Sequence, residues 1–230
     1  MVKKFGSNRP SGSSEGRIPR SSCIRCGTCC LKGGPVLHYE DVKILLDGYA
    51  GHQHLMTLRK GELAMNPVTG GIESLKKEIV KVIGRGEGWS CFFYDEMKAS
   101  CAIYENRFME CRLLKCWDPS DLMAIMGRNT IVRTDIINRG DPVLQLIEAH
   151  EDECSFEKIE RLLARLSLKG ANAGISRKLS DIVKRDLEIR RYATSGLGMK
   201  KEFELFIFGR SVHDILKRRG FSVHVGGANF

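Results

Sequence analysis

The stretch CIRCGTCC, Cys23–Cys30, places four thiols in eight residues, with the last two adjacent. A metal ion or cluster needs thiolates that converge on a small sphere. Cys-x-x-Cys supplies two of them from one tight turn and leaves backbone N–H groups free to donate to the sulfurs. Cys23 and Cys26 meet that requirement. Cys29 extends the run to Cys-x2-Cys-x2-Cys, the three-ligand stretch of bacterial ferredoxins, in which a remote cysteine binds the fourth corner of a cubane. The Cys-x3-Cys-Pro that follows in ferredoxins is absent. Cys30, directly after Cys29, points another way in most backbone conformations, so it is not expected to bind the same atom in a relaxed geometry. It serves a second site or belongs to the packing.

A second group lies downstream as Cys91-x9-Cys101-x9-Cys111-x4-Cys116. Four thiols plus four is the number that two tetrathiolate sites need, or one cluster with further structural thiols. The ferredoxin-like run favours an iron–sulfur centre, a 4Fe-4S cluster in particular, whereas closed all-cysteine zinc sites fit the same ligands. Because Cys29 and Cys30 adjoin and Cys101 and Cys111 flank a turn, at least one site is expected to draw on both groups. Cys154, isolated in HEDECSFEK, reads as a small apolar filler.

Composition limits the alternatives. With 230 residues and 42% apolar content the chain can bury a core without cross-links. No apolar run of about 18 residues is present to span a bilayer, and MVKKFGSNRPSGSSEGRIPRSS has a positive start without an apolar h-region, so it does not read as a secretory signal. Nine cysteines on such a chain point to a reducing compartment, expected to be the cytoplasm, where thiols bind metal more often than they pair. The net charge of +9 divides into +4 over residues 1–22, +1 over 23–120 and +4 over 121–230. Each tetrathiolate site would lower it further, and no recognition motif or interleaved aromatics accompany it, so nucleic-acid binding is not expected.

The pattern along the chain predicts an α+β fold: a basic tail expected to be disordered at 1–21, a small cysteine-cluster module at 22–120, and a mostly helical region at 121–230. Val42, Leu45 and Leu46 fall at helical spacing with Gly48 as a stop. KKEIVKVIG reads as a strand, and CFFYDEMKASCAIY as a hairpin with its turn in Asp95–Ser100. ENRFMECRLLKCWDPS carries a helical turn, and Asp118-Pro119 and Asp141-Pro142 open helices. Ser155 precedes Phe156, Ile159, Leu162, Leu163 and Leu166, a further helix holds Leu179, Ile182, Val183 and Leu187, and SVHDILKRRG is capped by Ser211 and stopped by Gly220. No internal repeat is evident. GRGEG and SGLGMKK lack the strand-then-helix context of a phosphate loop and read as turns. His52 and His54 read as ordinary surface or core histidines. Arg25, Arg107 and Arg112 lie beside cysteines and could offset thiolate charge or sit on the surface.

CIRCGTCC followed by WSCFFYDEMKASCAIYENRFMECRLLKC resembles the CxxCxxCC cysteine-cluster family of zinc- or iron-chelating proteins, the YkgJ type. The resemblance covers residues 22–118. It implies metal or iron–sulfur binding by Cys23, Cys26, Cys29, Cys30, Cys91, Cys101, Cys111 and Cys116, with no settled reaction and no assigned catalytic residue. Family members commonly follow the arginine of the IYE-x-R stretch with proline, whereas this chain has Phe108 after Arg107.

The function expected from these readings is a metal-binding protein, with a structural or electron-carrying centre and a helical half that docks a protein partner. The resemblance also suggests an enzyme related to flagellin lysine N-methylases, which carry a related cysteine region, although no glycine-rich site for S-adenosylmethionine is visible. Zinc-dependent nucleic-acid binding, for which Cys-x-x-Cys knuckles are precedent, is the third reading.

Overall fold

The computed structural model describes residues 21–66, 69–169 and 173–221; the expected tail at 1–21 falls almost wholly outside them. Helix α1 (Val42–Leu46) follows the first cysteine group and ends before Gly48, whose φ of 78° suits a residue without a side chain. Strands β1 (Leu55–Leu58) and β4 (Ile79–Val82) pair antiparallel with Leu55 opposite Val82 and Leu58 opposite Ile79. Between them β2 (Leu63–Met65) and β3 (Ile72–Ser74) form an outlying hairpin. Four two-residue strands then follow, β5 (Gly84–Arg85), β6 (Ser90–Cys91), β7 (Tyr94–Asp95) and β8 (Ser100–Cys101).

The rest is helical: α2 (Met109–Leu113), α3 (Ser120–Ile125), α4 (Arg133–Ile136), α5 (Val143–Glu153), α6 (Phe156–Lys169), α7 (Ala173–Ser195), α8 (Glu204–Phe208) and α9 (Val212–Arg218). The predicted starts are where side chains can satisfy the first N–H groups. Asp118 accepts from the N–H of Ser120 at 3.1 Å, Asp141 from that of Val143 at 2.9 Å, and Ser211 from that of Asp214 at 3.1 Å. The architecture is α+β, with short strand pairs first and helices after.

Two apolar clusters hold it together. The larger one joins Leu55, Val80 and Val82 of the central pair to Phe93, Phe108, Ile131, Ile147, Phe206 and Phe208, so it is built from both sides of residue 121. Strand β1 is buried throughout because α8 packs over it, and the Thr57 hydroxyl donates to the Phe206 carbonyl at 2.5 Å. The second cluster lies between α6, α7 and α9 and contains Phe156, Ile159, Val183 and Leu216. Cys154 belongs to it, fully buried, with its thiol donating to the Ile182 carbonyl at 3.7 Å and burial pushing its pKa up to about 12. A filler role suits it.

Between the clusters runs a network of buried charges that no periodicity announces. The Arg59 side chain, the His150 ring and the Asp186 carboxylate are all fully buried. Arg59 Nη1 lies 3.2 Å from His150 Nδ1, and His150 Nε2 lies 2.6 Å from Asp186 Oδ1. A guanidinium can only donate, so Nδ1 accepts and the ring carries its proton on Nε2. Asp186 also accepts from Arg190 Nε at 2.9 Å and from the Val212 N–H at 3.0 Å. Arg190 continues to the carbonyls of Phe208, Gly209 and Arg210, clamping the bend that joins α8 to α9. Arg133 pairs with Glu78 at 2.9 Å and with Glu151, and donates to the Ile207 carbonyl.

Burial pushes His150 from its ordinary 6.5 down to about 4, against the pull of its bond to Asp186. Burial opposes the Asp186 charge too, but the His150 hydrogen bond and the Arg190 guanidinium outweigh it and hold the pKa at about 2. In both cases the unfolded chain binds a proton first as pH falls, so acid destabilises the fold. The urea midpoint is expected to fall as pH drops from 6.5 to 4 through the His150 window, by on the order of 1–3 kcal/mol of stability. It falls further below 3.8 as the Asp186 window is entered. His150→Gln should flatten the first interval, and Asp186→Ala should cost roughly 3–5 kcal/mol at neutral pH because it strands buried cations. A midpoint unchanged from pH 6.5 to 4 in the unaltered chain would contradict this account.

Candidate metal centre

The first cysteine loop is shaped by its own backbone donors. Arg25 and Gly27 adopt positive φ values of 56° and 74°, which reverse the chain between the thiols. The Arg25 N–H donates to Cys23 Sγ at 3.3 Å, and Cys26 Sγ lies 3.3 Å from the Thr28 hydroxyl and also accepts from the Thr28 N–H. The Leu31 N–H bonds the Gly27 carbonyl at 2.8 Å, and a 3-10 turn over Cys30–Lys32 follows, closed by the Gly33 N–H on the Cys30 carbonyl at 3.3 Å. Contrary to the expectation that their side chains diverge, Cys29 Sγ and Cys30 Sγ are 3.9 Å apart. The turn at Cys29 and Cys30 swings both thiols to one side.

The chain then runs alongside β4, with the Leu37 N–H on the Val80 carbonyl and the Val82 N–H on the Pro35 carbonyl, both at 2.9 Å. Strand β4 leads directly into the second cysteine group, which contains a structural repeat that the sequence pattern did not reveal. β5 pairs with β6 and β7 with β8 in the same register, displaced by ten residues: Gly84 faces Cys91 as Tyr94 faces Cys101. Trp89 and Ala99, ten residues apart, both have positive φ, at 56° and 46°. The Phe92 N–H bonds the Ile83 carbonyl at 3.0 Å just as the Ala102 N–H bonds the Phe93 carbonyl at 2.8 Å. The predicted hairpin is therefore present as β7–β8, and it is the second of two tandem units. In each unit the cysteine sulfur accepts an N–H from two residues on, Phe93 for Cys91 and Ile103 for Cys101. Cys23 and Cys26 accept from residues at the same offset. Such N–H···S bonds stabilise a thiolate and orient it.

Cys111 lies on α2, and Cys116 beyond it in the exposed turn between Lys115 and Asp118. α2 is fixed by carboxylates that sequence reasoning passed over. Asp41 accepts from the Met109 N–H at 2.7 Å, and Glu110 accepts from the Val36 N–H at 2.8 Å. Phe108, after Arg107, has a φ of −56°, one that a proline would also adopt, and its ring enters the larger apolar cluster.

The two groups meet. The Cys30 thiol is held far above its ordinary pKa by its hydrogen bond with Cys29, by desolvation, and by the charges of Cys29, Cys91 and Cys111. Cys111 is raised by burial and then by Cys91, Cys29 and Cys101. Cys29 is the acidic partner, drawn down to about 6 by the hydrogen bond from Cys30 against desolvation, with the Arg107 guanidinium assisting. Six of the predicted residues, Cys26, Cys29, Cys30, Cys91, Cys101 and Cys111, thus share one electrostatic neighbourhood, while Cys23 and Cys116 are exposed. None of the eight is in a disulfide. Among the described residues no three Cys, His, Asp or Glu side chains form a closed cage for an ion. The donor set is nonetheless all sulfur, pre-bonded by N–H groups, which is the chemistry zinc and iron select.

A family model described as "CxxCxxCC: Putative zinc- or iron-chelating domain" matches residues 22–143. The chain belongs to the CxxCxxCC family. The match begins one residue before Cys23 and runs through α4 to the first residue of α5, so it takes in both cysteine groups. Membership supports metal binding by this CxxCxxCC protein, of zinc or iron. No curated protein and no solved structure matches the chain.

The histidines and arginines divide. His52 stacks on Phe206 with ring centroids 4.5 Å apart, and His54 Nδ1 accepts the Gly51 N–H at 3.0 Å, so both are structural. Arg112 donates to the Arg107 carbonyl at 2.6 Å, and Arg107 and Arg25 both lie over the Tyr104 ring. In the reduced, metal-stripped chain at pH 7, iodoacetamide is expected to label Cys26 and Cys29, which are exposed and acidified, well before Cys91 and Cys111, whose thiolates burial disfavours. Peptide mass mapping over time reads the order, and labelling of Cys111 first would contradict it.

Proposed function

We propose that the chain is a cytoplasmic metal–thiolate protein whose eight cysteines, Cys23, Cys26, Cys29, Cys30, Cys91, Cys101, Cys111 and Cys116, hold zinc or iron in a centre shared by both groups. The observation that carries this reading is the approach of thiols from the two groups, with the 3-10 turn that begins at Cys30 packed on the strand that carries Cys91 and Cys29 Sγ 3.9 Å from Cys30 Sγ. Burial and proximity disfavour ionisation of Cys30, Cys91 and Cys111, and a bound cation would stabilise them as thiolates. When bound, zinc supplies a rigid structural centre and an iron–sulfur cluster supplies one-electron transfer.

The Cys29–Cys30 sulfur separation of 3.9 Å supports a single tetrahedral ion, since a metal–sulfur bond of about 2.3 Å gives an edge of about 3.8 Å. In a cubane each cysteine binds a different iron, which sets the sulfurs farther apart. The Cys-x2-Cys-x2-Cys run supports the second reading, a 4Fe-4S cluster bound through Cys23, Cys26 and Cys29 with a fourth thiol from the downstream group. Among the described residues no helix is long and apolar enough to cross a membrane. The helical half is the part we assign to a protein partner.

Anaerobic purification with metal analysis and a visible spectrum tests the reading. Zinc leaves the protein colourless, and an iron–sulfur cluster gives broad visible absorption. Stoichiometric metal is expected, with a lower melting temperature on chelation because ligation stabilises the folded module. Cys26→Ser should lower the metal content and Cys154→Ser should not. A metal-free protein that melts unchanged after chelation would overturn the proposal.

A further inference from the structure

Each repeat unit ends in a tyrosine three residues after its cysteine, Tyr94 after Cys91 and Tyr104 after Cys101. Both tyrosines meet the N-terminal cysteine loop. A Cβ placed on Gly27 would fall 1.9 Å from Tyr94 Oη and 2.3 Å from Cζ, so the loop backbone lies directly against that hydroxyl. A side chain here would displace the Tyr94 ring, and the φ of 74° strains any residue but glycine. Two residues earlier, the Arg25 guanidinium lies 3.9 Å from the centroid of Tyr104. Arg107 lies over the same ring at 3.9 Å and donates from Nε to the Tyr104 carbonyl at 2.9 Å, which fixes the tyrosine to its own turn.

The loop from Cys23 to Cys26 has few other anchors. Its residues are exposed, and its own hydrogen bonds run within the loop. Cation–π contacts at exposed sites are worth roughly 0.5–1 kcal/mol, too little to fold a domain but enough to bias where a short loop rests. The duplicated unit thus offers two aromatic contacts, one for Gly27 and one for Arg25.

We propose that Tyr94 and Tyr104 are positioning residues of the metal centre, forming a two-point seat that holds the N-terminal cysteine loop against the downstream thiols. They touch no metal ligand sphere themselves; they reduce the freedom that the loop would otherwise lose on ligation. The inference rests on the metal-centre reading above for its purpose, and on loop docking alone for its geometry.

The test uses the full chain, reduced and stripped of metal, with trypsin cleavage of the Arg25–Cys26 bond followed by mass spectrometry. Tyr104→Leu should speed that cleavage at least fivefold while cuts within α6 and α7 keep their wild-type rates, which reports an intact helical half. Tyr104→Phe, which keeps the ring, should stay within twofold of wild type. Gly27→Ala, which drives a methyl into Tyr94, should behave like Tyr104→Leu. Zinc titration against a chromophoric chelator is the second arm: Tyr104→Leu should bind the same number of ions about fivefold more weakly, the effect of about 1 kcal/mol, with Tyr104→Phe restored. Equal Arg25 cleavage in wild type and Tyr104→Leu would overturn the seat. Faster cleavage with unchanged zinc affinity would overturn its positioning role. If the wild-type chain binds neither zinc nor iron, the metal reading fails, and the cleavage arm decides the seat by itself.

Discussion

Strand β4 is the constraint on which the rest depends. One of its edges pairs with β1, which is buried under α8, and the other receives the segment Pro35–Leu37 that leaves the first cysteine loop. Its C-terminal end passes through Ile83 into the first repeat unit, whose Phe92 N–H returns to Ile83. One short strand therefore supports both cysteine groups from adjacent positions. Because its backbone bonds are buried, leaving them unmade would be costly, and the thiols inherit a fixed distance of approach before any metal is present.

Charge is handled differently in the two halves of the molecule. Around the cysteines, ionisable thiols are gathered with little compensation: Arg107 and the N–H donors help, yet Cys30, Cys91 and Cys111 remain disfavoured as thiolates. In the helical half, opposite charges are buried and matched, with Asp186 satisfied by His150, Arg190 and the Val212 N–H. A matched buried network specifies one packing and resists rearrangement. A gathered set of unmatched thiols is a site that a cation completes, and family membership points to the same conclusion.

Much of the outline was legible. Helix starts at Asp118, Asp141 and Ser211 could be read because capping is a local interaction between a side chain and N–H groups two or three residues away. The β7–β8 hairpin and strand β4 were legible from turn residues and β-branched runs, and Cys154 from its isolation. The density of thiols alone indicated metal chemistry, since sulfur at that spacing has few other uses in a chain without cross-links. The tandem repeat was missed although Ser-Cys recurs at 90–91 and 100–101 with tyrosines at 94 and 104. Its two units share turn geometry rather than composition, as Trp89 and Ala99 illustrate by taking the same positive φ with unlike side chains.

Periodicity, caps and side-chain chemistry within a few residues of each site were enough for the α+β class, several helix starts and the identity of the thiols. Only the tertiary structure decided which thiols share a neighbourhood, that Cys29 and Cys30 turn to one side, and that Arg25 and Gly27 rest on Tyr104 and Tyr94. It also decided that Arg59, His150, Asp186 and Arg190 are buried together. Most of these are contacts between segments that no local pattern couples, formed because β4 and the packed helices bring them within reach and because a buried charge or polar group left without a partner is costly.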